Sequence, residues 1–496
     1  MLKFLYAIII LELSVVNVAG QDYETDTSVI MRLNLTEVIH LAQENSPAAM
    51  AAKHTFRAAY WDYRSFRANY LPMLSFVSRP DLTRTISKVT LPDGTDKYVA
   101  RNILTLDGTL SLQQNWALTG GTFFVETALQ RMKLLDSDEL SFHTNPVSVG
   151  YRQSLFGFNY LRWDKKIEPL RYREARKTYM EAMELVAVDA VRKFFALAVA
   201  LSDYERACFN YANADTLYHF AKGRYDIGVI TENELLQLEV NRLTEETNRI
   251  DAQVEVDHCR QELNSLLGLG KQIIEVEIEY DVPDFSVDTR LAYAFFLKNS
   301  PDMDALQLRL LESRSSVAQA RSNMGLKAEL YLEFGLSQSG FSMKEAYHKP
   351  IDQQQVNVGI SLPLLDWGLG RGKVKVAKSR QELVEVQVEQ SRSDLETNIQ
   401  KMVVQFNLQA KRVEIARKTD LTAKRRYEVA RRLFLVGKLS VLDLNTSIAE
   451  KDGASRGFLA ALNNYWNLYY MIRSMTLYDF EHQQELKENL SLWIKY

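Results

Sequence analysis

The sequence predicts a mainly α fold with a β part, built from one unit used twice. Three observations carry that expectation. A turn between long helical tracts occurs twice, 209 residues apart. The tracts beside it hold a seven-residue repeat, and the stretches before them switch to a period of two. The first turn is Arg224-Tyr225-Asp226-Ile227-Gly228-Val229-Ile230-Thr231, and the second runs from Arg432 through Leu435, Val436, Gly437 and Leu439 to Ser440. Gly228 and Gly437 can each take the left-handed conformation that ends a helix without a Cβ clash. Three residues on, Thr231 with Glu234 reads as a capping box, and Ser440 with Asp443 as a weaker one.

A chain of 496 residues, 46% of them apolar, can bury a large core, and length alone would suggest about three domains. Its net charge of −3, from 60 basic and 63 acidic residues, gives no field that points to nucleic acid. Lys3, the apolar run Phe4 to Val18 and the small-residue end Val18-Ala19-Gly20 read as a secretory signal cleaved near Gln21, with a retained anchor as the alternative. No Cys lies near the cleavage point, which argues against a lipoprotein. No later stretch approaches 18 uncharged apolar residues, so no membrane-spanning helix is expected. Cys208 and Cys259 flank the first turn. Helices folding back there would offset them by ~12 Å, too far for a disulfide, so both are expected free.

In order, Leu33 to Ala42 reads as a capped amphipathic helix that continues past Asn45-Ser46-Pro47 to about Asn69. Pro72 stops it, and the period becomes two. Leu104, Leu106, Leu110 and Leu112 alternate with polar residues, Thr119-Gly120-Gly121 is a turn, and Thr122 to Leu129 reads as a further strand. Val147, Val149, Tyr151 and Leu155 alternate likewise. The apolar face of such strands is core in a soluble sandwich and faces lipid in an outer-membrane barrel. A long helical tract follows from about Pro169, read as a first-turn residue, to Ile227. In it Tyr204, Tyr211, Tyr218 and Tyr225 recur every seven residues, as do Ala207, Ala214 and Ala221, the mark of coiled-coil packing. The returning helix runs from Glu232 to about Leu267.

The scheme then restarts. Asn299-Ser300-Pro301 echoes Asn45-Ser46-Pro47, and Leu330 to Leu336 alternates. Val356-Asn357-Val358-Gly359 follows Val147-Ser148-Val149-Gly150 by 209 residues. A second long tract covers about Lys373 to Val436, and a last helix runs from Val441 towards Leu477. The expected division is a signal at 1–20, a first repeat at 21–283, a second at 284–479 and a C-terminal tail at 480–496. Strands are expected at about 73–158 and 328–365, and coiled-coil helices at about 167–267 and 373–477. From Leu71 to Val147 is 76 residues but from Leu326 to Val356 is 30, so the first repeat carries 46 more.

Leu33-Asn34-Leu35-Thr36-Glu37 with Asn45-Ser46-Pro47, Tyr70-Leu71-Pro72, and Leu362-Pro363-Leu364-Leu365-Asp366-Trp367-Gly368 together resemble the TolC family of bacterial outer-membrane efflux channels. Ser154-Leu155-Phe156-Gly157-Phe158-Asn159 is the matching first-repeat form, and both turns resemble the family's periplasmic tip motif. The resemblance spans most of the mature chain. It implies a homotrimer with a helical tunnel and a shared β-barrel in the outer membrane, extending into the periplasm. It further implies docking to a periplasmic adaptor and an inner-membrane efflux pump or ABC transporter. On this reading Arg224, Tyr225, Gly228, Thr231, Arg432, Leu435, Val436, Gly437, Leu439 and Ser440 form the tip, with Arg432 a candidate gate. Plain hairpin capping is the alternative. Trp116, Phe123, Phe124, Tyr151, Phe156, Phe158, Tyr160, Trp163 and Trp367 are candidates for the aromatic girdle at the membrane interface. The family places two strands per repeat in the barrel. The extra segment here either adds two more, giving eighteen per trimer instead of twelve, or folds outside the wall.

No cofactor, metal or catalytic site is expected. The seven His show no paired ligand spacing, and Gly368-Leu369-Gly370-Arg371-Gly372 lacks the Lys-Ser/Thr ending of a phosphate loop. A non-channel periplasmic coiled-coil scaffold is the alternative class, and the amphipathic strands argue against it.

Overall fold

The computed structural model describes residues 31–487, apart from Lys271, Asp284, Val436, Gly437 and Ser440. The segment at 1–20 expected to be a signal therefore lies outside the described residues. The chain opens with β1 (Met31–Leu33), α1 (Leu35–Asn45) and α2 (Pro47–Ala68). The helix expected to run through residues 45–47 is two helices. Pro47 disfavours the helical conformation at the residue before it, and Ser46 is extended (φ −64°, ψ 145°), its side chain capping α2 at the N–H of Ala49. Asn34 and Glu37 close a capping box on α1.

The strands β2 (Met73–Ser78), β3 (Asp81–Thr90), β4 (Asp96–Trp116), β5 (Gly121–Leu134) and β6 (Leu140–Leu155) follow. Then come α3 (Tyr160–Asp226), α4 (Glu232–Leu267) and β7 (Ile274–Val276), which pairs in parallel with β1. The second repeat is α5 (Thr289–Asn299), α6 (Pro301–Met324), β8 (Lys327–Gly340), α7 (Met343–Ala346), β9 (Ile351–Ser361), α8 (Leu369–Leu435) and α9 (Val441–Thr476). The chain closes with β10 (Tyr478–Asp479) against β11 (Gln484–Glu485). The fold thus continues past the expected boundary at residue 479, with Phe480 packed into the core.

The long helix α3 begins well before the expected start near residues 167–169. Asn159 caps it by accepting from the N–H of Arg162 at 3.0 Å, so Pro169 sits inside the helix and not in its first turn. A proline in that place removes one ladder bond, but Pro169 lies on the exposed side of the helix, and burial of Leu161, Ile167 and Leu170 around it carries the helix through.

Most strands form one antiparallel sheet in the order β2-β4-β5-β6-β8-β9, with β3 also on β4. The two short strands share their partner: β2 pairs with Gly108 to Gln113, and β3 with Asp96 to Thr105. Arg79-Pro80 lies between them, and proline cannot donate to a ladder. The sheet therefore has six positions. The segment left open between wall and outside pairs on both sides, β4 with β2 and β3, and β5 with β6.

Register makes the two faces unlike. One row across the sheet is Leu74, Leu112, Val125, Val149 and Phe334, all exposed, and it ends at Gln354 on β9. The next row on the other face is Ser75, Ser111, Glu126, Ser148, Gly335 and Gln353. There the Ser111 hydroxyl donates to Glu126 at 2.7 Å.

The core lies where α1, α3, α4, α5, α8 and α9 meet, around Phe194, Phe195, Leu263, Leu267, Phe296, Phe406, Leu462 and Tyr465. Each such buried side chain contributes about 1.5–3 kcal/mol. Arg473 of α9 crosses to Glu184 of α3 at 3.0 Å and also meets Asp479 at 3.3 Å, so a buried ion network joins the repeats. The seven-residue repeat is a seam: Ala207, Ala214 and Ala221 are buried, while Arg249 lies 4.9 Å over Tyr211 and Arg242 5.3 Å over Tyr218. Both cysteines are free, as expected, and burial with the Glu255 carboxylate pushes the Cys259 thiol up to about 11.

Candidate functional sites at the two ends of the molecule

At one end, α3 turns into α4. Gly228 takes φ +71°, a region that penalises any Cβ, and no atom lies within 4 Å of where one would stand. The N–H of Gly228 donates to Tyr225 O at 2.8 Å and that of Val229 to Arg224 O at 2.9 Å, closing the helix end. Thr231 and Glu234 form the full capping box, and those hydrogen bonds hold the Glu234 carboxyl below its ordinary range. Arg224, Tyr225, Gly228 and Thr231 therefore meet in one hairpin. Its apolar side chains project outward, Ile227 being 74% and Val229 58% exposed. Capping needs neither of them.

The second hairpin repeats this geometry as far as it is described. The N–H of Lys438 donates to Leu433 O at 2.9 Å, the counterpart of Val229 to Arg224. Arg432 is exposed in the last turn of α8, where its charge complements the helix dipole. Leu435 is the last residue of α8 and Leu439 is half-buried in the turn. Val436, Gly437 and Ser440 lie outside the described residues.

At the other end, the girdle candidates divide. Trp116, Phe123 and Tyr151 form one cluster beside the apolar face, with ring centroids 5.5 and 4.5 Å apart. The Tyr151 hydroxyl sits 2.6 Å from that of Thr119. Phe158 stacks on Trp163 at 6.5 Å, and Lys166 lies over that ring. Phe156, Tyr160 and Trp367 are exposed, Trp367 at 90%, and Phe156 and Trp367 have φ of +61° and +53°. Phe124 is a correction. Period two puts it opposite Phe123, on the polar face. There it is 2% exposed, fills the space above Gly150, stacks on Tyr331 at 5.7 Å and lies under Arg152.

Two features escaped sequence reasoning. Lys451 lies 4.6 Å over Tyr427, and these residues stand 209 positions after Arg242 and Tyr218. A search for cation and aromatic pairs at the repeat spacing would have found both. Asp479, Glu481 and His482 could together face a metal ion, yet Asp479 already accepts from Tyr469 at 2.8 Å and pairs with Arg473. Among the described residues no helix is long and apolar enough to cross a membrane.

Residues 293–466 match the family described as outer membrane efflux protein. No curated protein matches the chain. Solved structures do. The CmeC outer membrane channel of Campylobacter jejuni shares 15% identity at a TM-score of 0.66, over 93% of this chain and 89% of that one. The outer membrane protein VceC of Vibrio cholerae shares 14% at 0.59, over 89% and 95%. The open state of the MtrE outer membrane channel of Neisseria gonorrhoeae shares 14% at 0.58, over 92% and 91%. The chain thus shares the fold of these outer-membrane channels over about nine-tenths of its length, and residues 293–466 carry the sequence pattern of the outer membrane efflux protein family.

Proposed function

We propose that the chain is one subunit of a homotrimeric exit duct in the outer membrane, serving an efflux or type I secretion system. The observation that carries this is a set of surfaces left without partners. The sheet has an exposed apolar face, a polar face and two open edges, β2 and β9. Lipid does not tolerate open edges, because each unpaired backbone group costs several kcal/mol. The helices are unfinished in the same sense. Side by side they run α4, α3, α9, α8. On α4, Leu236, Val240, Leu243, Ile250 and Val254 are exposed at coiled-coil spacing, and on α8 so are Leu408, Ile415 and Val429. One flank of a chain thus offers α4 and the other α8, which supports head-to-tail ring closure.

The tips dock a periplasmic adaptor and, through it, an inner-membrane pump. The exposed side chains of Ile227 and Val229 support this, since capping at this turn uses only their backbone. Arg432 holds the resting tip closed. Membrane fractionation and detergent-resistant sizing test the duct, with a trimer in the outer membrane expected. A soluble periplasmic monomer would refute it. For the tip, Val229→Asp should abolish adaptor crosslinking at normal trimer levels. Unchanged crosslinking would leave the turns as plain hairpins. Arg432→Ala should raise planar-bilayer conductance, and an unchanged closed state removes the gate.

A further inference from the structure

We propose that the barrel wall has six strands from each chain, eighteen in the trimer, because the β4–β5 hairpin is built into the wall above the junction of two helices. This rests on the trimeric duct proposed above.

Near the sheet, α2, α3, α6 and α8 pack side by side in that order. Each continues into a strand of its own: α2 into β2, α3 from β6, α6 into β8 and α8 from β9. The strands β4 and β5 have no helix beneath them, and they sit between β2 and β6. Their turn is anchored to both neighbouring helix ends. Asn115 Nδ2 donates to Asn69 O and Oδ1, each at 3.0 Å, at the C-terminus of α2. Asn159 Nδ2, at the N-cap of α3, donates to Ala117 O at 3.0 Å. Gln153 Nε2 of β6 donates to Thr119 O at 3.2 Å. Gly120 has φ +80° and rests against Asn159, where a Cβ would lie 2.9 Å from Cγ. A hairpin held at two helix ends and paired along both sides is not free to fold outside the wall.

Circumference gives an independent argument. Strands spaced ~4.8 Å apart and tilted ~40° each take up roughly 6 Å of wall. Six strands then cover about 38 Å, and four would cover about 25 Å. Four helices at ~9 Å spacing cover about 36 Å. With the hairpin included, sheet and helices subtend the same arc whatever the number of chains. The barrel joins the tunnel flush, so the exit is not the narrow point of the duct.

The full chain in phosphatidylethanolamine–phosphatidylglycerol nanodiscs, imaged by electron cryo-microscopy, should show eighteen wall strands with the hairpin between β2 and β6. A twelve-stranded wall with the hairpin splayed away overturns the proposal. A ring of another size overturns the trimer and the count of eighteen, while six wall strands per chain would still be read separately. A second measurement needs no map. Bimane placed by Leu112→Cys or Gln113→Cys, with Cys208→Ser and Cys259→Ser, should be quenched by dibrominated lipid several-fold more at 112 than at 113. Equal or reversed quenching overturns it.

Discussion

In the first repeat the two long helices span 67 and 36 residues, and in the second they span 67 and 36 again. Between the preceding helix and the long one, the first repeat has five strands and the second only two, with a single-turn helix. Lengthening a helix moves its tip by 1.5 Å per residue, so one repeat's hairpin would no longer stand level with the other's. Adding a hairpin to an antiparallel sheet returns the chain to the end where it started. The sheet can therefore take up 46 residues without disturbing the long helices, and most of the length difference between the repeats lies there.

The comparison can be tested first at the joint between repeats. Glu184 is buried and its partner Arg473 partly so, and burial outweighs pairing to push the Glu184 carboxyl above its ordinary value. Breaking a buried pair from one side costs about 3–5 kcal/mol. Arg473→Met should lower the urea midpoint accordingly, and Arg473→Met with Glu184→Gln should cost less than the two single changes summed.

Gly150 and Gly359 are equivalent positions, 209 apart, with opposite surroundings. A Cβ at Gly150 would stand 2.1 Å from Phe124 Cζ and 2.5 Å from the Leu332 carbonyl oxygen, while at Gly359 nothing lies within 4 Å. Gly150→Ala should cost about 1–3 kcal/mol through overpacking, and Gly359→Ala within about 0.5 kcal/mol. Heat-modifiability on gels measures both. Equal losses would mean that the inserted strands do not distinguish the repeats.

Glu181 of α3 has Gln390 as its counterpart in α8. Desolvation, with Asp302 nearby, pushes Glu181 up to about 7. The folded state therefore binds the proton more tightly than the unfolded chain does. Its stabilising share is complete below the ordinary carboxylate value of about 4.5 and is lost as pH rises to about 7. Glu181→Gln should flatten stability across that window, and an unchanged slope removes Glu181 as its source.

The smallest effect concerns what the repeats share. Tyr218→Leu and Tyr427→Leu each remove one cation–π pair, and each should cost about 0.5–1 kcal/mol by thermal melt. A loss at only one of them would mean the pairing is not a property of the repeat.

Much of this was legible in the sequence because it depends on local chemistry. Gly228 with Thr231 and Glu234 is a turn written in three residues, and the Ala207-Ala214-Ala221 seam is a spacing. What was not legible depends on register. Phe123 and Phe124 are adjacent, and period two says only that they oppose each other. Which one faces inward is decided by Gly150, a strand away. Pro169 misled for a related reason: burial of its helix neighbours, invisible locally, outweighs one missing hydrogen bond. The anchoring role of Asn159 likewise needs the turn at Gly120 brought beside it from 39 positions earlier.

The open edges at β2 and β9 also constrain how such a molecule is made. A lone chain entering a bilayer would carry both rows of unpaired backbone groups into hydrocarbon, and its polar face would have no water-filled lumen to line. Insertion one subunit at a time is therefore uphill at every step but the last. Before that step a lone chain of the proposed duct would also present a broad apolar sheet to water, which invites aggregation. In the proposed trimeric duct, ring closure and membrane entry are therefore a single event.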